Sequence, residues 1–226
     1  RNFPAQFRYL APQMKARGHE VAVMTARTNQ NPQPLPHARY DHDLGKMPGL
    51  GGTYTAYAEL GAAVARRAMQ IRDRSGDVPD VILGHHGWGE TLFLKEVWPE
   101  SRHLGYAEFL YGTEGIDVGF DPEFSASNFE SRLRVVSRRA HLLQAAVQSD
   151  ALLSPTEWQG STFPPELRSK LSVIHDGVDT ERCAPDPAAT FELPDGRVLK
   201  VGDEVLTFVN RNLEPYRGFH TFMRAL

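Results

Sequence analysis

The stretch "AQFRYLAPQMKARGHEVAVMTAR", residues 5–27, contains a change of rhythm on which the fold turns. Its first half puts Phe7, Leu10, Ala11 and Met14 on one helical face, with Arg8, Lys15 and Arg17 opposite. Gly18 suits a left-handed C-terminal cap, and "HEVAVMTAR" then reads as a short, largely buried strand. Helix, glycine, strand is the second half of a β-α-β unit, whose first strand is expected before Asn2. Pro12 argues against an unbroken helix, because an interior proline removes a hydrogen bond and kinks the chain.

The same alternation continues. Residues 28–52 are rich in Pro, Gly, Asn and Asp and read as loop, with a short strand at "HARYD". An alanine-rich helix is expected over 53–76, stopped by Gly76, then a strand at "PDVILGHH". A short helix at "GETLFLKEVWP" and a strand at "RHLGYAEFLY" follow, then loop over 112–124. Residues 125–150 read as one long helix with a serine cap and arginines along one side. "ALLSP", "TEWQGSTFP" and "KLSVIHDGVD" read as strand, helix, and strand with a glycine turn. Helices alternating with short Val/Ile/Leu strands imply an α/β fold, a Rossmann-like parallel sheet with helices on both faces. The Pro- and Asp-rich segment 180–196 reads as a boundary, giving domains at 1–180 and 181–226. Beyond it, "RVLKVGDEVLTFVNR" is expected to form strands and "RGFHTFMRAL" to open a helix.

With 41% hydrophobic and 23% charged residues in 226, the composition is that of an ordinary globular protein. A net charge of −3 gives no bulk attraction for nucleic acid, so an anion site must be local. A single cysteine, Cys183, excludes an internal disulfide and a cysteine-built metal centre, and fits a cytoplasmic setting. No apolar run is long enough for a membrane span and no leader peptide is evident; peripheral contact at the inner membrane face stays open. Both ends read as cut, so the chain is expected to be a fragment.

Ligands of open parallel sheets bind beyond the carboxyl ends of the strands. Five clusters have chemistry to offer there. "NFPAQFR", with Phe3 and Gln6, leads into a helix N-terminus but lacks the G-x-G-x-x-G of dinucleotide folds. "GHHGWGE" places His85, His86, Trp88 and Glu90 in one turn. His85 or His86 is either a ligand-binding, acid–base group or a structural histidine; adjacent strand residues point apart, which disfavours joint chelation. Glu108, between Tyr106 and Phe109 at a strand end, is either paired with an arginine of the long helix or functional. "HDGVD" holds Asp176 and Asp179 at a turn, a spacing too short to name a metal site. Finally, "VNRNLEPYRGFHTF" flanks Glu214 with Arg211 and Arg217, either a bidentate phosphate clamp or a solvated turn.

Together these segments resemble the retaining glycosyltransferases of family 4, which have the GT-B fold. "VIHDGVD" is similar to that family's V-I-x-N-G-V-D junction and "NRNLEPYRGF" to its G-R-x-x-x-x-K-G segment. "NFPAQFRYLAPQMKARGHEVAVMT" resembles its first loop, helix and second strand, and "GHHGWGE" falls where a histidine often follows a strand. The resemblance implies an N-terminal acceptor-side domain followed by the start of a nucleotide-sugar-binding domain, the two facing each other across a cleft. It implies hexose transfer from a UDP- or GDP-sugar, with retention, to a saccharide, lipid or small-molecule acceptor, without a required metal or other cofactor. Arg211 and Arg217 would hold the donor diphosphate, with Glu214 positioning one of them. His85 and Glu108 would be catalytic, and Phe3, Gln6, Trp88 and Tyr106 would shape the acceptor side. The chain departs from the pattern at "PA" for the first loop's Gly-Gly and at Asp176 for an asparagine. The glutamate pair that contacts the sugar would lie past Leu226, which implies that residues 1–226 alone are inactive. Two rival readings are a non-catalytic sugar- or nucleotide-binding α/β module and a metal-dependent hydrolase built on His85, His86 and Glu90.

Overall fold

The computed structural model describes residues 2–32, 34–42, 45–124 and 127–226. Gln33, Asp43 and Leu44 of the expected loop, and Ser125 at the head of the expected long helix, lie outside the described residues. The chain divides into two units, one of residues 1–120 with 125–176, the other of 121–124 with 177–226.

The first unit starts with a 3₁₀ turn over Ala5–Phe7 and helix α1, Leu10–Ala16. The single helix expected from residue 5 is therefore split, and Pro12 falls in the first turn of α1. Its missing N–H has no intrahelical acceptor there, so it costs no hydrogen bond. Strands β1, Val23–Ala26, and β2, His37–Tyr40, pair in parallel. Helix α2, Gly52–Ser75, buries Ala56, Leu60, Val64 and Ala68, a four-residue period that lays one stripe on the core. It ends at Gly76 with φ +73°, whose N–H caps the Arg72 carbonyl at 2.8 Å.

The main sheet is β3, Val81–His85; β4, Arg102–Tyr106; β5, Ala151–Ser154; and β6, Leu171–Val173. All neighbours are parallel in the order β3-β4-β5-β6. Each crossover carries helix: α3, Leu94–Val97; then α4, Phe129–Arg138, and α5, Ala140–Gln148; then α6, Glu157–Ser161, and α7, Pro165–Arg168. This is the α/β, Rossmann-like arrangement expected from the alternation of helix and strand. Tyr40, Leu60, Val64, Leu94, Val97 and Trp98 form one core cluster. Ala107, Leu110, Leu142, Leu152, Phe163 and Leu167 belong to a second.

Three boundaries differ from the sequence reading. The long helix is two, meeting at Arg139, and its cap is Asn128 rather than a serine. Asn128 Oδ1 accepts the Ser131 N–H and Ser131 Oγ accepts the Asn128 N–H, both at 2.9 Å, a reciprocal box that satisfies two orphan donors. The strand read as 102–111 stops at Tyr106, because Leu110 N–H turns to Thr162 Oγ1 at 3.0 Å instead of a ladder partner. Glu108 consequently lies on the loop after β4. The helix at 89–99 shrinks to α3, since Gly89 with φ +80° closes the preceding turn.

The second unit contains a hairpin of β7, Thr190–Glu192, with β8, Val198–Lys200, and helix α8, Phe219–Ala225. The hairpin's first strand lies inside the segment read as a boundary. The apolar run "EVLTF", 204–208, forms no strand: an extended segment needs a ladder partner, and among the described residues it has none. Among the described residues, no helix is long and apolar enough to cross a membrane.

Candidate functional site

Strand β3 delivers His85 directly beside Tyr106, its register partner at the end of β4. Both are buried at 6% and 7% exposure, so their polar atoms need protein partners. His85 Nδ1 accepts the Gly87 N–H at 3.0 Å. That bond places the ring proton on Nε2, which donates to Glu108 Oε2 at 2.8 Å. The Glu108 side chain is 43% exposed, so a buried imidazole holds a carboxylate that faces outward.

Aromatic rings frame this pair. Trp88 stacks on His85 with centroids 4.4 Å apart and planes within 3°, and Tyr106 lies 5.2 Å away, tilted. Phe7 packs edge-on to both Trp88 and Tyr106, at 6.5 and 6.4 Å. Tyr106 Oη donates to both oxygens of Asp176, at 2.8 and 2.9 Å. Burial pushes the Tyr106 phenol above its ordinary value, and the Asp176 bond adds to this, so it stays a donor. The frame thus ties the ends of β3, β4 and the loop after β6.

Of the expected site residues, His85, Trp88, Tyr106 and Glu108 come together; Phe3 and Gln6 do not join them. Phe3 is buried with Ala11 and Leu35, and its carbonyl accepts from Asn29 Nδ2 at 2.7 Å. Gln6 is half-buried in the 3₁₀ turn. Phe7, next in line, supplies the contact instead, a shift of one position that helical periodicity treats as ordinary core.

His86 turns away from His85. Its Nε2 bonds Ser149 Oγ at 3.0 Å, and that hydroxyl donates onward to the Ala145 carbonyl at 2.9 Å. Glu90 accepts from Tyr40 Oη at 2.7 Å. His85, His86 and Glu90 therefore have three separate partners and do not converge as a ligand set. Among the described residues the one group with converging ligand atoms is Asp121, Glu123 and His220 of the second unit. Its members are already engaged: His220 Nε2 with Asp121 at 2.9 Å, and Glu123 with Arg224 at 2.6 and 2.7 Å.

A small cavity of about 50 Å³ behind the pair is lined by His85, His86, Glu108, Arg138 and His141. His141 is 2% exposed and stacks on Tyr57 at 4.0 Å, with the backbones of Gly87 and Arg138 beside its ring. Burial lowers its pKa to about 4 and that of His86 to about 3, so both are neutral at pH 7. Unfolded, each binds a proton below about pH 6.5. Stability therefore falls as pH drops from about 6.5 toward 4, by up to about 1.4 kcal/mol per pH unit for each ring. Thermal melts from pH 7 to 4 should show this decline, and His141→Phe should flatten it relative to the parent.

In the second unit, Glu214 accepts from Arg217 Nε at 2.8 Å and from Asn212 Nδ2 at 3.0 Å. Hydrogen bonds from Asn212, Arg217 and Tyr216 lower the Glu214 pKa to about 2, so it is a carboxylate that holds Arg217 in place. Arg211 is exposed, on the other side of Glu214 in sequence. Gly218, with φ +74°, closes the turn and begins α8. No strand delivers Arg211, since among the described residues 204–210 forms none.

A comparison with individual curated proteins returns no match. The model of the glycosyl transferase family 4 group matches residues 17–183, a span from the end of α1 through the junction after β6 that includes His85, Trp88, Tyr106, Glu108 and Asp176. By that match over most of its length, the chain belongs to the glycosyl transferase family 4 group and is a glycosyltransferase.

Proposed function

We propose that this glycosyltransferase moves a hexose from a UDP- or GDP-sugar to an acceptor hydroxyl with retention at the anomeric carbon, and that its first unit handles the acceptor. The observation that carries the acceptor assignment is the outward-facing Glu108 carboxylate, held at 2.8 Å by His85 inside an aromatic frame. In the reaction the anomeric bond to the diphosphate breaks as the acceptor oxygen bonds to the same face. The acceptor proton passes to Glu108, and the diphosphate leaves as an anion held by the arginines. Glu108 touches the acceptor by accepting its hydroxyl's hydrogen bond, and His85 positions Glu108. Trp88, half-buried beside the pair, lines the acceptor side.

The donor belongs to the second unit in this reading. Arg217, oriented by Glu214, and Arg211 bind the diphosphate and offset the charge that grows on it, so no metal ion is invoked. No nucleic-acid partner follows from a chain of net charge −3, and the reaction is assigned to the cytoplasm, at or near the inner membrane face.

A panel of UDP- and GDP-sugars tested for binding and for nucleoside-diphosphate release by the intact protein decides the donor. Arg217→Ala should weaken the chosen donor about 10- to 100-fold, the loss of one or two charge-assisted bonds. Unchanged donor affinity would remove Arg217 from the site. Donor binding with no turnover against any acceptor would mark a binding module instead.

A further inference from the structure

A second concave site lies elsewhere on the first unit, where β1 and β2 end against α2. Its volume is about 470 Å³ and it is lined by Arg27, Arg39, Tyr40, Asp41, Arg66 and Arg67, among others. Arg27 directly follows β1, Arg39 and Tyr40 end β2, and Arg66 and Arg67 come from α2. Four guanidiniums face one carboxylate, a local charge of +3 in a chain whose net charge is −3. Packing like charges together is unfavourable unless something offsets them.

Three of the four arginines are held in place by hydrogen bonds, which a merely solvated face does not require. Arg27 forms a two-pronged pair with Asp41, one prong at 2.9 Å from Nη2 to Oδ2. Arg39 Nη1 donates to the carbonyls of Arg27 and Asn29, at 3.1 and 2.9 Å. Arg67 Nη1 donates to Gln70 at 3.1 Å, while its Nε is buried with no acceptor among the described residues. Arg66 is exposed at the rim. Each pinned guanidinium spends part of its fork on the protein, and Arg67 has a buried donor still to satisfy. Planar forks of this kind match the oxygens of a phosphate.

We propose that this arginine pocket binds the phosphate group of a phosphorylated ligand. The carboxylate does not cancel the site, because Asp41 is consumed by Arg27 and leaves Arg39, Arg66 and Arg67 to the anion. Tyr40, on the pocket wall, bonds Glu90, two residues beyond Trp88. The pocket is independent of the donor and acceptor assignments above.

The phosphate could belong to a soluble phosphomonoester or to a lipid headgroup, and the test separates them. The intact protein is titrated with inorganic phosphate by calorimetry, and floated with vesicles of phosphatidylcholine alone or with phosphatidic acid added. Arg66→Glu, a rim change that breaks no hydrogen bond seen here, is compared with the parent after circular dichroism confirms an unchanged fold. Saturable phosphate binding that weakens about tenfold or more in Arg66→Glu supports the pocket and a soluble ligand. Flotation with phosphatidic acid that is lost in Arg66→Glu supports the pocket and a lipid source. Absence of both, or binding that Arg66→Glu leaves intact, overturns the proposal. Arg39→Ala gives an independent second reading, since Arg39 sits on the opposite wall.

Discussion

Glu108→Gln should lower kcat/KM for the acceptor by about 10²-fold while leaving donor affinity unchanged. The His85 tautomer decides the outcome. With Nδ1 occupied by the Gly87 N–H, Nε2–H must donate, and it will face the amide oxygen of a glutamine as it faced the carboxylate. The amide NH₂ then points outward, where a carboxylate oxygen had been. An acceptor hydroxyl meets a donor instead of an acceptor and must reverse its own hydrogen bond, turning its reactive oxygen away. Because the side chain is 43% exposed, stability should change little, which separates this outcome from unfolding. His85→Gln retains a donor toward Glu108 and should keep more activity than His85→Leu, which retains none. Equal losses in those two would make His85 a packing residue only, and an unchanged Glu108→Gln enzyme would remove Glu108 from the acceptor site. The assay is initial rate against acceptor concentration at saturating donor.

The alternation of short apolar strands with capped helices made the parallel sheet legible in the sequence, because burial on both faces and glycine stops are local signals. Boundaries were less legible. Asn128 replaced the expected serine cap because both residue types cap well and only the reciprocal bond with Ser131 decides between them. "EVLTF" looked like a strand, but strand formation depends on a partner that a local pattern does not encode. The site was readable in kind rather than in wiring. His85 and Glu108 stood out as costly side chains beyond strand ends, yet their pairing depends on the β3–β4 register, a long-range fact. Phe7 reads only as part of an apolar helix face and His141 as ordinary helix, and the arginine pocket assembles residues from three elements far apart in sequence.

The same register makes a backbone position decisive: Gly105→Ala should be among the most destabilising single-methyl changes available to this chain. A Cβ at Gly105 would stand 1.7, 2.1 and 2.8 Å from Nε2, Cε1 and Cδ2 of His86. The ring cannot yield cheaply. It is 1% exposed and anchored to Ser149, whose hydroxyl is committed to the Ala145 carbonyl of α5. Moving it overpacks the layer between β4 and α5 and strands a buried donor, each costing about 1–3 kcal/mol. A sum near 4 kcal/mol is a large share of the roughly 5–15 kcal/mol that keeps a domain folded. Thermal melts should register a drop on the order of 10 °C for a unit of this size. His86→Ala supplies the control, since removing the ring removes the obstacle. In a double-mutant cycle the alanine at 105 should cost far less in the His86→Ala background, a coupling of at least about 2 kcal/mol. If the two costs simply add, the contact is not the cause and strand β4 must resist a side chain at 105 for another reason. Coupling would also show why His85 holds its pose: the next residue is wedged behind it by a glycine, so the imidazole facing Glu108 is set from the back of the sheet.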